Sequence, residues 1–145
     1  ISLKPTGAVH NPEKLYVAMR NSLNADVPAS FCGEKYAKGW VTGRMRELGC
    51  AYFLAYDDTP PTITQQSLNP RHLSFKVTDT GSGIQGYKTY LDGQFILLQF
   101  GKNKEILFCD LADTPVRPTG KERTLRLIAT DNRNNKNEYL TKIKY

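Results

Sequence analysis

Two adjacent prolines, Pro60 and Pro61, constrain the fold of this sequence more than any other feature. Each proline fixes its own φ angle and lacks an N–H donor, so the pair cannot lie inside a helix or a central strand. Consecutive prolines also hold the segment around them in a stiff, extended conformation. The sequence therefore predicts a short linker at residues 57–61, which separates a small β module at 1–56 from a larger domain at 62–145.

The composition favours strands and argues against several classes of protein. The chain has 145 residues, of which 39% are hydrophobic, and this is enough for two modest cores. Valine, isoleucine, threonine and the aromatic residues are spread along it, as is typical of β proteins. No apolar run approaches the roughly 20 residues of a membrane span. The net charge is +6, but the lysines and arginines form no basic run, so no nucleic-acid partner is predicted.

The second domain carries a series of strand and turn signals. Residues 72–78 alternate between apolar and polar side chains, and residues 84–91 and 94–100 are further apolar runs. Asp92 and Gly93 join the last two runs, and such a two-residue Asp-Gly connection is the strongest short signal for a β-hairpin. About seven short strands in about 85 residues are typical of an immunoglobulin-like sandwich. We predict an all-β protein of two small β-sandwich modules in tandem, the second immunoglobulin-like with about seven strands.

The first module is rich in glycine and aromatic residues. Residues 21–30 are small and polar and predict a surface loop. A tight turn precedes Trp40, which begins a predicted strand over residues 40–45. Because side chains alternate along a strand, Trp40 and Arg44 are expected on the same side of it. Tyr36 lies just before the turn, so these three residues are the predicted ligand-binding group.

Six aromatic residues have two interpretations. They form either an exposed platform on which sugars or bases stack, or part of the core, as aromatics in small β modules usually do. Trp40 is the best candidate for a platform. The six are Tyr36, Trp40, Tyr52, Tyr56, Tyr87 and Tyr90.

The three cysteines, Cys32, Cys50 and Cys109, carry no metal or redox signature. No pair has the CxxC spacing of zinc or thioredoxin-like sites, and an odd number argues against a complete disulfide framework. Either Cys32 and Cys50 pair with each other, or all three thiols are small buried hydrophobic groups.

Residues for catalysis are sparse. His10 and His72 are the only histidines, and neither lies in an HxH or HExxH pattern, so no catalytic zinc site is predicted. The sequence has no glycine-rich phosphate loop and no nucleophile elbow. We therefore predict no catalytic residues, no cofactor and no enzymatic activity for this chain.

Two aspartates mark a candidate calcium site. Asp79 and Asp131 each end a strand, and the two strands are expected to be neighbours in the sandwich. Together with Asn132 or Ser82 they supply the hard oxygen ligands that calcium prefers. The alternative is a pair of Asx-turns, in which each carboxylate accepts N–H groups of the residues that follow it.

The second domain resembles bacterial immunoglobulin-like domains in residues 58–63, 75–79, 82–84 and 125–132. In the last turn of such domains glycine is common where this chain has Asn134, and asparagine tolerates a positive φ there. The order of motifs over residues 14–145 more specifically resembles the C-terminal, non-catalytic region of lysostaphin-type zinc metallopeptidases of Bacteroidetes-like bacteria. The matching motifs are Gly33-x-x-Tyr36-x-x-Gly39-Trp40-Val41, Arg46-Glu47-Leu48-Gly49, the Asp-Thr-Pro-Pro linker, Ser82-Gly83-Ile84 and Tyr90-Leu91-Asp92-Gly93.

The peptidases of that family cleave peptide crosslinks of the cell wall with zinc held in a separate domain, and none of the zinc ligands has a counterpart here. The resemblance implies a non-catalytic accessory or targeting region of a secreted cell-wall enzyme. The implied partners are peptidoglycan or another glycan, or a peptidase domain of the same polypeptide. The implied location is the periplasm, the cell surface or the extracellular medium. The alternative is a stand-alone cell-surface adhesion or carbohydrate-binding protein.

Overall fold

A computed structural model describes residues 1–21 and 28–145 of the chain. The described residues form short strands joined by turns, together with two single-turn 3₁₀ helices, and the predicted all-β class is confirmed. Residues 22–27 of the predicted surface loop lie outside the described residues. The strands are β1 (Ser2–Leu3), β2 (Leu15–Asn21), β3 (Ser30–Gly33), β4 (Lys35–Ala37), β5 (Trp40–Thr42), β6 (Cys50–Tyr56), β7 (Thr62–Asn69), β8 (His72–Thr78), β9 (Ile84–Leu91), β10 (Gln94–Ile96), β11 (Gln99–Phe100), β12 (Ile106–Cys109), β13 (Glu122–Asp131) and β14 (Lys136–Lys144), and the 3₁₀ helices are Pro12–Lys14 and Leu111–Asp113.

The second module is a sandwich of two four-stranded antiparallel sheets. One sheet has the strand order β10-β9-β13-β14, and the other has the order β11-β12-β8-β7. Side chains from both sheets form one buried cluster, with Leu125 and Leu127 from the first sheet and Leu73 and Phe75 from the second. The predicted sandwich is thus confirmed, with eight strands in residues 62–145 in place of about seven.

The additional strand arises where the chain passes from one sheet to the other. The sequence predicts one strand over residues 94–100, but β10 belongs to the first sheet and β11 to the second. Between them Leu98 is fully buried, whereas Leu97 is 61% exposed. A run that is apolar on both faces does not reveal where it leaves a sheet, because each position is compatible with either layer.

Two turns have the geometry that their residues predict. Leu91 pairs with Gln94 around Asp92 and Gly93, whose φ angles are 48° and 79°. Positive φ at both central residues is typical of the type I′ turn, which matches the twist of a hairpin. Asn134 in the last turn has a φ of 60°, in the left-handed region that asparagine tolerates.

The described residues of the first module form two three-stranded sheets, with the orders β1-β5-β4 and β3-β2-β6. Their buried cluster is small and contains five side chains, which are Leu15, Val17, Met19, Cys32 and Val41. A core of this size is marginal for an independent domain. Contacts with the second module are therefore expected to contribute to its stability.

The strand predicted over residues 40–45 is shorter than expected and ends at Thr42. Beyond it the N–H group of Arg44 donates to the carbonyl of Cys32 at 2.7 Å, so the chain leaves its hairpin for the other sheet. Gly43 permits this approach, because a Cβ atom there would lie 2.9 Å from the same carbonyl oxygen.

All three cysteines are free thiols. Cys32 and Cys109 are buried and Cys50 is half-buried, so no disulfide joins Cys32 to Cys50. Burial raises the pKa of Cys109 to about 11, which keeps that thiol protonated at neutral pH.

Residues 57–61 form no strand and connect β6 to β7. Among the described residues, no sheet contains strands from both sides of this segment. The segment is nevertheless bound to the second module, because the amide of Asn137 donates to the carbonyl of Pro61 at 2.8 Å. No helix in residues 1–21 and 28–145 is long and apolar enough to cross a membrane.

Candidate functional site

Three aspartates converge where the two modules meet. Asp57 follows β6, Asp79 follows β8 and Asp131 ends β13. One carboxylate oxygen of each lies within 4.8 Å of those of the other two. Asp57 and Asp131 are 3% and 0% exposed, and Asp79 is half-buried. Within the described residues this acidic cluster is the one group of at least three acidic, histidine or cysteine side chains close enough to share a metal ion.

Asp79 and Asp131 are held by local turns of the same kind. Asp79 Oδ2 accepts the N–H groups two and four residues further along the chain, at 3.2 and 2.7 Å. Asp131 Oδ1 likewise accepts the N–H groups two and four residues further on, at 2.8 and 2.9 Å. The Asx-turns that the sequence offers as an alternative are therefore present, and the two carboxylates also lie together.

Asp57 is the member that sequence analysis missed, because its position beside two prolines assigns it to the linker. Asp57 Oδ1 accepts the N–H group of Thr59 at 3.1 Å, and Oδ2 accepts that of Ser82 at 2.6 Å. Gly81 leaves space for the carboxylate, since a Cβ atom there would lie 2.3–2.5 Å from its atoms. The sequence signal was only an aspartate directly after a strand, and its role depends on a tertiary contact.

Among residues 1–21 and 28–145, no basic side chain forms an ion pair with any of the three aspartates. In the described part of the chain, the ion pairs within 4.0 Å involve other carboxylates. Two unit charges at this spacing repel by roughly 3–4 kcal/mol at an effective dielectric constant of about 20. Burial raises the pKa of Asp79, and the charges of Asp57 and Asp131 raise it further. Burial also acts to raise the pKa of Asp57, but hydrogen bonds, chiefly from Ser82, outweigh it and lower that pKa.

Two buried oxygen atoms at the cluster, Asp79 Oδ1 and Ser82 Oγ, accept no hydrogen bond from the described residues. Ser82 is 2% exposed, and its hydroxyl faces the carboxylate of Asp57, whose pKa it helps to lower. A buried polar atom without a partner is uncommon in folded proteins and costs about 1–3 kcal/mol. Both oxygen atoms therefore keep lone pairs that a further group at the cluster can occupy.

The cluster borders a cleft of about 860 Å³ between the two modules. Asp79, Ser82 and Asn132 line the cleft from the second module, and Phe31 and Arg46 line it from the first. Asn132, which the sequence groups with the two predicted aspartates, donates its amide to the carbonyl of Ser82 at 2.8 Å. It thus holds the turn that carries Ser82, and the cleft connects this turn with solvent.

Two basic side chains lie at the junction and bind neutral oxygen atoms. Lys14 Nζ donates to Asn135 Oδ1 at 2.5 Å and to the carbonyl of Arg133 at 2.9 Å. The guanidinium of Arg133 donates in turn to carbonyl groups of the 3₁₀ helix in the first module. Asn135 Nδ2 donates to the carbonyl of Asp57 at 2.9 Å and to Asp131 Oδ2 at 2.7 Å. Asn135 thus connects the acidic cluster, the linker and the first module.

The predicted ligand-binding residues Tyr36, Trp40 and Arg44 lie on the first module, and none of them lines the cleft beside the cluster. Tyr36 and Trp40 are 40% and 46% exposed. Tyr36 pairs with Val41, and Ala37 pairs with Trp40. Paired residues share a face of a sheet and consecutive residues alternate, so the rings of Tyr36 and Trp40 project from opposite faces. They do not form one flat platform, and ligand binding by either ring or by the exposed Arg44 stays a prediction.

Of the other predicted aromatics, Tyr52, Tyr87 and Tyr90 make local contacts, whereas Tyr56 is 53% exposed at the end of β6. The hydroxyl of Tyr52 in β6 accepts the N–H group of Glu47 at 3.1 Å. Tyr87 packs edge-on against Phe100 at 5.5 Å, beside an apolar groove of about 750 Å³ in the second module. The ring of Tyr90 contacts Phe95 in the same way, at 6.0 Å.

Neither histidine contributes to the acidic cluster. His72 begins β8, and its exposed ring lies 6.0 Å from that of Phe108. His10 is exposed in the loop before the first 3₁₀ helix. The two therefore lie on different modules, as their separation in the sequence suggests.

No known family model matches the sequence, and no curated protein is significantly similar to it. Among solved structures, the chain is similar to a structure of the fibronectin(III)-like modules of Clostridium thermocellum CbhA. The two are 14% identical, with a TM-score of 0.41, over 99% of this chain and 84% of that one. The fold is therefore assigned from the strand pairing and the shared core of each sandwich.

Proposed function

We propose that this chain is a non-catalytic accessory region of a larger extracytoplasmic protein, specifically of a secreted or periplasmic cell-wall metallopeptidase that acts on peptidoglycan. Its role is to hold a neighbouring domain at a fixed position relative to the wall. The observation that carries this proposal is the buried polar junction between the modules, in which Asn135 joins Asp57, Asp131 and Lys14.

A junction of this kind suits a spacer of defined geometry. A flexible tether needs no buried hydrogen bonds between the domains that it joins. Here the linker is bound at both ends, through the carbonyl of Asp57 to Asn135 and through the carbonyl of Pro61 to Asn137. Because breaking such bonds leaves buried groups unsatisfied, the modules are expected to move as one body.

The peptidase and peptidoglycan parts of the proposal rest on the order of motifs along the chain, which resembles the accessory region of lysostaphin-type enzymes. The net charge of +6 supports retention near anionic polymers of a cell wall. A periplasmic, cell-surface or secreted location follows from the same proposal.

Co-sedimentation with purified peptidoglycan tests the targeting role. We expect the chain to sediment with insoluble peptidoglycan at moderate salt and to remain in solution with soluble neutral glycans. Retention that disappears entirely in about 1 M salt would reduce the interaction to non-specific charge attraction. If the chain binds no wall material, the targeting role is wrong, and only a spacer role in the full gene product remains to be measured.

The second candidate function is a stand-alone adhesion or carbohydrate-binding protein. The exposed ring of Trp40 favours it, because indole rings stack on the faces of sugars. The matched pair of variants is Trp40→Ala and Phe95→Ala, since Phe95 is similarly exposed, at 51%, on the second module. Loss of glycan binding in Trp40→Ala alone would favour this function over the accessory role.

A further inference from the structure

We infer that Asp57, Asp79 and Asp131 form a binding site for one calcium-like divalent cation, completed by the hydroxyl of Ser82. The site goes beyond the accessory role and is independent of it, because binding requires only that three loops of this chain converge. A distance, two buried oxygen atoms that accept no hydrogen bond and the chemistry of the donor set point to this site.

The spacing of the carboxylates fits a single ion. Calcium binds oxygen ligands at about 2.3–2.6 Å, so two oxygen atoms on one ion are separated by at most about 5 Å. One oxygen from each aspartate lies within 4.8 Å of the other two. Small adjustments of the side chains then bring all three carboxylates into contact with one calcium ion.

The unpartnered oxygen atoms independently indicate a ligand. Ser82 is 2% exposed, and its Oγ accepts no hydrogen bond from the described residues. The backbone N–H group of Ser82 donates to Asp57 Oδ2 at 2.6 Å, and its hydroxyl faces the same carboxylate. Asp79 Oδ1 is a second buried oxygen without a partner. A cation among these groups satisfies both atoms, whereas the Asx-turns satisfy neither.

The donor set selects the ion. Only oxygen atoms converge, and no histidine or cysteine belongs to the cluster, which disfavours zinc. The ligands come from three separate loops, and calcium accepts such irregular geometry, whereas magnesium requires a near-ideal octahedron. The protein supplies four side chains, and water from the cleft beside Asp79 and Ser82 completes the coordination.

The expected affinity is that of extracellular calcium modules, with a Kd of about 10⁻⁴–10⁻³ M. The carboxylates already accept backbone hydrogen bonds, which weakens their affinity for a cation. At a calcium concentration of a hundred times Kd, binding to the folded state alone increases the folding equilibrium constant about 100-fold.

Terbium luminescence tests the site directly, because Tb³⁺ replaces calcium and emits when a nearby tyrosine is excited. Tyr16 is the expected sensitiser, since it is 4% exposed and its pKa, raised chiefly by burial, is raised further by the charges of all three aspartates. We expect saturable emission with one Tb³⁺ per chain, displaced by Ca²⁺ more readily than by Mg²⁺. Tyr16→Phe should lose most of the emission but keep the calcium-dependent rise in melting temperature.

Two variants and one control complete the test. Asp79→Asn keeps the shape and the turn of the least buried ligand, and should weaken calcium binding at least tenfold. Ser82→Ala should weaken it by a smaller factor. Asp110→Asn is the matched control, because Asp110 also accepts a backbone N–H group, at 2.9 Å, but lies far along the chain in the turn at Leu111–Asp113. It should bind calcium like the wild-type chain.

Three results would overturn the inference. The first is no saturable binding up to about 10 mM calcium, ten times the weakest expected Kd. The second is an unchanged calcium response in Asp79→Asn. The third is stabilisation by Asp79→Asn in a chain whose wild type does not respond to calcium, which would mean that a shared proton occupies the cluster.

Discussion

At the scale of single residues, the three cysteine thiols differ in their accessibility to solvent. Cys50 is half-buried, whereas Cys32 and Cys109 are buried. With a pKa of about 11, Cys109 is only about one-thousandth thiolate at pH 8. We expect a thiol reagent to modify Cys50 first in the native protein and Cys109 only on unfolding. Mass spectrometry of partly labelled protein measures the order, and early labelling of Cys109 would contradict the buried core.

Asp92 gives a prediction of pH dependence. Its side chain accepts hydrogen bonds from Arg123 Nε and from the N–H group of Thr124, both at 2.8 Å, and these lower its pKa. A lowered folded pKa stabilises the fold above the unfolded pKa of 3.8, and the gain is lost as pH falls through the folded value. Asp92→Asn keeps the turn and the acceptor but removes the charge. Its urea midpoint should therefore lie below that of the wild type at pH 7, and the two should converge at about pH 2.

The strength of the same interaction should depend on salt, because the ion pair is at the surface. In about 1 M salt the difference between Asp92→Asn and the wild type should shrink at pH 7. A difference that persists at low pH and in high salt would mean that the substitution disturbs the turn and not the charge.

At the scale of elements, Gly81 in the turn between β8 and β9 leaves space for the side chain of Asp57. A Cβ atom on Gly81 would lie 2.3–2.5 Å from the buried carboxylate of Asp57. Gly81→Ala should therefore destabilise the protein by about 1–3 kcal/mol, as overpacking usually does. Gly86→Ala in β9 is the matched control, because nothing lies within 4 Å of its added Cβ atom. Equal melting temperatures for the two variants would contradict the close contact.

The elements also indicate how much the sequence could predict. The hairpin at Asp92 and Gly93 and the alternating strand β8 follow from local chemistry, and both were predicted. The sequence did not predict that the chain passes from one sheet to the other near Leu98, because the side chains of an apolar run fit the core from either sheet. Asp57 was missed for a related reason. Its neighbours in sequence are linker residues, whereas its role depends on Gly81 and other residues far along the chain.

At the scale of the whole molecule, the junction determines whether the modules move together. Asn135 is 7% exposed, and its side chain bonds Lys14, Asp57 and Asp131. Asn135→Ala leaves those groups unsatisfied, so it should cost about 1–3 kcal/mol and loosen the junction. Small-angle scattering should give a larger radius of gyration for the variant, and calorimetry should resolve two unfolding transitions in place of one.

The control for the junction is Asn69→Ala. Asn69 is exposed, and its side chain accepts a local hydrogen bond, at 2.9 Å, from the N–H group of Arg71. This variant should scatter like the wild type. If the wild type already shows freely tumbling modules, the accessory role as a spacer of fixed geometry is wrong, although the calcium site is unaffected by that result.

The binding of the linker at both ends has a consequence for how this chain tolerates change of length. Segments between domains usually accept added residues at little cost, because loop closure depends only weakly on length. Here Asp57 and Pro61 are both fixed to the second module, so an inserted residue between them would have to bulge outwards or pull one end free. The length of the segment 57–61 is therefore as constrained as that of a strand in a sheet.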